Sequence, residues 1–110
     1  MRLFGQYLSS VALAALVLLL SMACATQPVK ANFAADPTYG AGPLTVQFSD
    51  KSRGEIESWA WDFDGDGVVD SEDQNPTLVY GSSGSYDISL TVTRAGQTDT
   101  TIKTYYIDLD

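Results

Sequence analysis

The chain has no histidine, a single cysteine and only six basic side chains among its 110 residues. Without histidine, a serine nucleophile has no imidazole base to activate it. The lone Cys24 cannot close a disulfide within its own chain, so the folded part must be stable by other means. The six Lys and Arg face fourteen Asp and Glu, a net charge of −8. An acidic surface of this kind argues against nucleic acid or anionic lipid as partner and points to a cation instead. No internal repeat and no low-complexity stretch divides the chain, and its length leaves room for one domain.

The one long apolar run is N-terminal. Arg2 precedes Leu3 to Leu8, two serines, the unbroken run Val11 to Leu20, and then the small residues Ser21-Met22-Ala23-Cys24-Ala25. A positive start, an apolar middle and a small-residue end are the parts of a secretory signal. The run is shorter than the roughly 20 residues that span a bilayer. Cys24 after a small residue resembles the bacterial lipoprotein box, although Ser21 stands where leucine is usual and Leu20 sits one place early. Two other fates compete with lipidation of Cys24. A cut after Ala25 in Ala23-Cys24-Ala25 would discard the cysteine, and an uncleaved segment would anchor the chain. With Arg2 held in the cytoplasm, each fate places the rest outside the inner membrane. The sequence thus divides into residues 1–24, a signal segment with lipidation at Cys24 as the favoured outcome, and residues 25–110, an exported domain. That domain keeps five basic against fourteen acidic side chains, a net charge of −9.

From Val29 onward short alternating runs are separated by Gly, Pro, Asn and Asp, the pattern of an all-β protein. Ala31 to Phe33 reads as an opening strand, ended at Asp36-Pro37 and Gly40 to Pro43. In Leu44 to Ser49, the residues Leu44, Val46 and Phe48 share one face. Trp59, Trp61 and Phe63 alternate along an aromatic central strand and read as core. Thr77 to Tyr80 is a short strand. Tyr86, Ile88, Leu90 and Val92 form the cleanest inward stripe. Arg94 to Gln97 is a hairpin turn into a last strand over about Asp99 to Leu109. There the apolar parity moves from even at Ile102 to odd at Ile107 and Leu109, which predicts a β-bulge. About seven short strands around a mid-chain tryptophan predict an Ig-like β-sandwich. Tyr86, two residues before inward Ile88, has the spacing of the tyrosine corner of that fold, and equally that of a plain core aromatic. Tyr39 and Tyr105 or Tyr106 are the rings expected at the surface.

Several ordered blocks carry a family resemblance. Pro43-Leu44-Thr45-Val46-Gln47-Phe48-Ser49-Asp50, Trp59-Ala60-Trp61-Asp62-Phe63, Gln74-Asn75-Pro76-Thr77 with Tyr80, and Gly84 to Thr93 with Gly96 together resemble a polycystic-kidney-disease (PKD) domain, from about Val29 to Leu109. The resemblance implies an Ig-like sandwich outside the cell, acting as a spacer or as a module that contacts protein or carbohydrate.

The family commonly reads Trp-Asp-Phe-Gly-Asp-Gly after the central strand; this chain departs from it with Asp62-Phe63-Asp64-Gly65-Asp66-Gly67-Val68-Val69-Asp70-Ser71-Glu72-Asp73. Asp62, Asp64, Asp66, Gly67, Asp70 and Asp73 fall at positions 1, 3, 5, 6, 9 and 12 of a calcium loop, Val68 could give its carbonyl at position 7, and Val69 takes the apolar position 8. No helical pattern flanks the loop, so it is not an EF-hand; strand-flanked D-x-D-x-D-G loops are the better comparison. Calcium requires six to eight oxygens, which alternate carboxylates curled by glycines can supply. Without a cation, each carboxylate pair at about 4 Å repels by up to about 4 kcal/mol at an effective dielectric near 20. The bland alternative is a solvated acidic turn, since Asp and Gly are also turn residues.

Three functions are weighed. The favoured one is a non-catalytic exported envelope module that contacts protein or polysaccharide at the cell surface, its loop stiffened by calcium as the only cofactor. The alternative is a carbohydrate-binding module of a secreted polysaccharide-degrading system, which needs exposed aromatic faces. A hydrolase working through a carboxylate pair such as Asp62 and Asp64 needs a sugar-wide cleft and one raised pKa. A sandwich of roughly eighty residues leaves little volume for one, and the chain is expected not to be an enzyme.

Overall fold

The computed structural model describes residues 27–110. The signal segment and Cys24 lie outside the described residues. Seven strands follow one another: β1 Phe33–Asp36, β2 Tyr39–Gly40, β3 Leu44–Asp50, β4 Ser58–Asp62, β5 Thr77–Tyr80, β6 Gly84–Arg94 and β7 Gln97–Leu109. They form two sheets, in the orders β1-β3-β5 and β2-β7-β6-β4. This is the all-β, Ig-like sandwich that the alternating runs predict. The opening strand starts at Phe33, two residues later than Ala31, and it is followed by a second strand that the sequence reading did not contain. Pro37, which has no N–H to give to a ladder, separates the two. Across it the chain leaves β1, antiparallel to β3, and joins β7 in parallel as β2.

The core lies where the inward faces meet. Val46 and Phe48 from β3, Trp61 from β4, Ile88, Leu90 and Val92 from β6 and Ile107 and Leu109 from β7 are all buried. Trp61 bridges the sheets. Its ring lies 5.3 Å from Phe33 in an edge-on contact, 5.4 Å from Phe48 and 5.9 Å from a stacked Phe63. Phe63 stays buried although β4 ends one residue before it. Trp59 is only half-buried, with its Nε1–H donating to Asp50 Oδ2 at 2.9 Å, so it forms the rim of the core rather than its centre. The β6–β7 hairpin turns at Ala95 and Gly96, both at positive φ. That backbone matches the right-handed twist of the flanking strands.

The bulge in β7 is present, but its consequence differs from the expectation. Tyr86 pairs with Ile107 while Ile88 pairs with Lys103, so β7 carries two extra residues rather than one. An even number preserves parity: Thr101, Lys103, Ile107 and Leu109 all face inward, and Ile102 points out, 63% exposed. Asp87 holds the bulge by accepting the Tyr105 N–H at 2.8 Å, with Tyr105 at φ +51°. The Tyr105 ring is thereby turned to solvent, while Tyr106 packs edge-on against Phe33 at 5.6 Å. Lys103, facing inward, donates from Nζ to the Phe33 carbonyl and lies over the Phe33 and Tyr106 rings.

Tyr86 forms the corner. Its hydroxyl donates to the Ser82 carbonyl four residues upstream at 2.6 Å, and its ring lies 4.6 Å from Tyr80. Tyr86→Phe keeps the ring and removes only that bond. It is expected to cost about 1 kcal/mol, read as a lower urea midpoint with unchanged slope. An unchanged midpoint would reduce Tyr86 to a packing residue.

Candidate functional site: the acidic loop after strand β4

Strand β4 ends at Asp62 and the chain then curls tightly, with Gly65 and Gly67 at φ +74° and +83°. Asp62 organises the curl. Its Oδ1 accepts the N–H groups of Asp64 (3.2 Å) and Gly65 (2.9 Å), and its Oδ2 accepts that of Gly67 (2.9 Å). Asp64 Oδ1 accepts from Asp66 N–H at 3.3 Å, and Asp66 Oδ1 from Val68 N–H at 2.9 Å. Asp70 reaches back, with Oδ2 accepting the Phe63 N–H at 2.7 Å. Asp62, Asp64 and Asp66 thus turn the backbone ahead of them while Asp70 closes the curl from behind, and the result is a ring of carboxylates. Asp62, Asp64, Asp66 and Asp70 each offer one oxygen within 4.8 Å of the others.

The crowding marks the electrostatics. Partial desolvation, with Asp62 and Asp66 bonded at its side and the charge of Asp70 nearby, pushes the Asp64 carboxyl up to about 6. Desolvation works to raise Asp62 as well. The amides of Gly67, Asp64 and Gly65 outweigh it and hold this carboxyl below the usual range.

The sequence-derived ligand set separates into three groups. Four of the five aspartates converge. Asp73 is not among them: its carbonyl accepts the Trp61 Nε1–H at 2.8 Å and its N–H donates to Ser71 Oγ at 3.2 Å. Val68 contributes its N–H to the curl, and its side chain and that of Val69 are exposed, so position 8 does not pack as in a helix-flanked loop. A contact that the spacing did not disclose lies behind the loop. Trp61 N–H donates to the Ser71 carbonyl (2.8 Å), Asp70 N–H to the Trp61 carbonyl (2.7 Å), and the indole N–H to Asp73. Three polar groups of the central core residue are therefore met by the loop's return limb, and the outer edge of β4 is covered by it. A second network holds the limb's far end. Asp50 N–H donates to Asn75 Oδ1 at 2.8 Å, and Asp50 Oδ2 accepts from Trp59 and Gln74. Burial alone would raise Asp50, but the bonds from Ser52, Trp59 and Gln74 leave its carboxyl lowered. Nothing in the spacing of the sequence points to this network, because Asp50, Trp59, Gln74 and Asn75 meet only once the limb folds back.

Chemically the ring is a set of hard oxygen donors. Calcium–oxygen bonds of 2.3–2.6 Å place ligands on opposite sides of one ion about 4.6–5.2 Å apart, so oxygens within 4.8 Å of one another suit a single sphere. Two clefts flank the ring. One of about 560 Å³ runs between β5 and the loop, lined by Phe63, Asp64, Asp70, Asp73, Tyr80 and Tyr86 among others. The other, of about 310 Å³, lies by Asp62, Gly67, Asp87 and Ile102.

Comparison with known proteins places this architecture. Residues 25–109 match the model of the PKD domain family. The PKD1 domain of Vibrio anguillarum Epp is 35% identical, over 76% of this chain and 98% of that one, with a TM-score of 0.59. The PKD1 domain of the Vibrio cholerae metalloprotease PrtV is 34% identical, over 74% and 99%, with a TM-score of 0.58. A structure described for the promiscuous specificity of carbohydrate-binding modules of the β-sandwich superfamily is 28% identical, over 76% of this chain and 35% of that one, with a TM-score of 0.63. No curated protein matches the chain significantly. With the family matched over the whole folded region and two PKD1 domains similar along almost their full length, the chain belongs to the PKD domain family.

Proposed function

We propose that the protein is a non-catalytic, exported module that displays or binds a protein or glycan partner at the cell envelope, with a calcium ion stiffening the loop after β4. The observation that carries the calcium reading is the convergence of Asp62, Asp64, Asp66 and Asp70 at one exposed rim, against a return limb that is bonded to Trp61. An ion there would be held by these four carboxylates, and its chemistry would be structural: it would neutralise their repulsion and fix the limb. The relatives support a non-catalytic binding role, two being PKD1 domains and one a structure described for carbohydrate-binding modules. The glycan alternative rests on exposed rings. Tyr39 and Tyr105 are 76% and 78% exposed, and neither pairs with another aromatic among the described residues. Titration calorimetry with calcium tests the reading. One ion per chain is expected, with most of the heat lost in Asp66→Asn, and no binding heat in the wild type would leave the segment an acidic turn.

Envelope attachment is proposed through Cys24, after removal of residues 1–23. Among the described residues no helix is long and apolar enough to cross a membrane. Cys24→Ser is expected to move the protein from the membrane fraction to the soluble one. An intact mass without an acyl chain on the wild type would overturn the lipid anchor.

A further inference from the structure

The two sheets end differently on the side where the loop lies. The outer edge of β4 is covered by the return limb through Trp61, Asp70 and Ser71. Among the described residues, none pairs with the outer edge of β5. The Phe48 N–H to Pro76 carbonyl bond (2.9 Å) sets the phase of the β3–β5 ladder. Hydrogen-bonded pairs alternate with non-bonded ones in an antiparallel ladder. Val46–Leu78 and Leu44–Tyr80 are therefore the bonded pairs, and the N–H and C=O groups of Thr77 and Val79 point away from β3. Soluble sheets blunt such edges with charge, proline or a bulge. β5 is short, at four residues, and Pro76 precedes it, but Thr77-Leu78-Val79-Tyr80 itself carries no charge and no bulge, and Val79 is 57% exposed.

This edge borders the cleft of about 560 Å³, which runs along β5 from Pro76 to Ser82. Its walls are of two kinds. Leu78, Tyr80 and Tyr86 give an apolar floor, and Asp64, Asp70 and Asp73 give an acidic wall, with no basic residue in the lining. Carbonyl and amide groups on one side, apolar surface beneath and carboxylates opposite suit a single kind of occupant. A strand added to β5 would satisfy these backbone groups and set alternate side chains on the inner face, where the apolar stem of a lysine or arginine can pack on the tyrosines and its cation reach the acids beside Tyr80. We propose that in the calcium-free protein the β5 edge and the acidic wall form a docking groove for an extended, lysine- or arginine-bearing segment of a partner protein, a docking that calcium at Asp64 and Asp70 would weaken. The inference rests on the binding-module reading and narrows its partner to a cationic peptide. A neutral glycan in the same cleft could hydrogen-bond to the strand edge and the carboxylates but carries no positive charge to match the wall.

The test uses an acetylated, amidated hexapeptide of alternating lysine and valine, titrated into the 15N-labelled domain in chelator. Saturable shifts are expected at the amides of Thr77, Val79 and Gly81, with slowed hydrogen exchange at Thr77 and Val79. The glutamate–valine counterpart should bind at least tenfold more weakly. Of two peptides N-methylated on alternate residues, one in each phase, one should lose at least tenfold and the other should bind like the parent. Val79→Lys and Asp73→Lys should each weaken binding about tenfold while leaving the melting temperature nearly unchanged, because neither side chain bonds to the fold. Absence of saturable shifts at β5 overturns the proposal. So does parent-like binding by both methylated peptides, which would mean electrostatic adsorption alone. Because chelator is present throughout, failure here leaves the calcium titration standing, and a silent calcium titration leaves this result standing.

Discussion

Trp61→Ala is expected to destabilise the domain by about 3–5 kcal/mol, the range for truncating a large core aromatic. The indole is fully buried and contacts Phe33 and Phe48 of one sheet and Phe63 beside it, so its loss opens a cavity between the sheets. Neighbouring rings cannot collapse into that space without leaving their own strands. The polar edge adds to the cost: the Asp73 carbonyl loses its indole donor and the return limb loses an anchor. A domain of this size has about 5–15 kcal/mol of total stability, so the variant is expected to be partly unfolded at 37 °C. Urea unfolding followed by far-UV circular dichroism measures it. Trp61→Phe keeps one aromatic ring while losing the donor and part of the indole volume; it should cost less than Trp61→Ala and retain the fold. Trp59→Ala, at the half-buried rim, should cost clearly less than Trp61→Ala. A melting temperature for Trp61→Ala close to that of the wild type would contradict the central place of the ring.

The sandwich was legible because its core strands are regular. Val46 and Phe48, or Ile88, Leu90 and Val92, face inward at every second position, and a period of two admits no other element. Where the backbone leaves that period, sequence says less. Two residues inserted into β7 leave parity intact, so the exposed Ile102 looked like part of the core pattern. Two residues suffice for β2 because Tyr39 and Gly40 need only a neighbour, β7, and no hydrophobic stripe of their own. The acidic loop was legible in its spacing, since carboxylates at alternate positions with glycine at the sixth already imply a curl around one point. What the spacing could not contain was the attachment. Asp73 appears in the pattern as a twelfth-position ligand, whereas its carbonyl is bound by the Trp61 indole, a contact between residues whose relation depends on how the limb folds back along β4.

That attachment makes the loop a lever on stability. A ligand that binds only the folded state stabilises it by RT ln(1 + [L]/Kd), about 2.7 kcal/mol when free calcium is 100 times Kd. For a domain of 60–100 residues each kcal/mol is worth about 4–8 °C, so calcium is expected to raise the melting temperature by about 10 °C or more and chelator to reverse the gain. Magnesium should do much less, because it demands tighter octahedral geometry and sheds water reluctantly. Two substitutions distinguish a ligand from a structural acid. Asp66 accepts only the Val68 N–H, so Asp66→Asn should remove most of the calcium-dependent gain while relieving repulsion in the calcium-free protein, whose melting temperature should hold or rise. Asp62 accepts three backbone amides through both of its oxygens, and an asparagine can replace only one of those oxygens. Asp62→Asn should therefore lose the calcium gain and also lower the melting temperature in chelator. Scanning calorimetry of the three proteins in calcium, magnesium and chelator reads all of this in one experiment. Superimposable wild-type curves in the three conditions would sink the metal site. Equal losses for both variants in chelator would show instead that Asp66, like Asp62, holds the turn in the calcium-free protein.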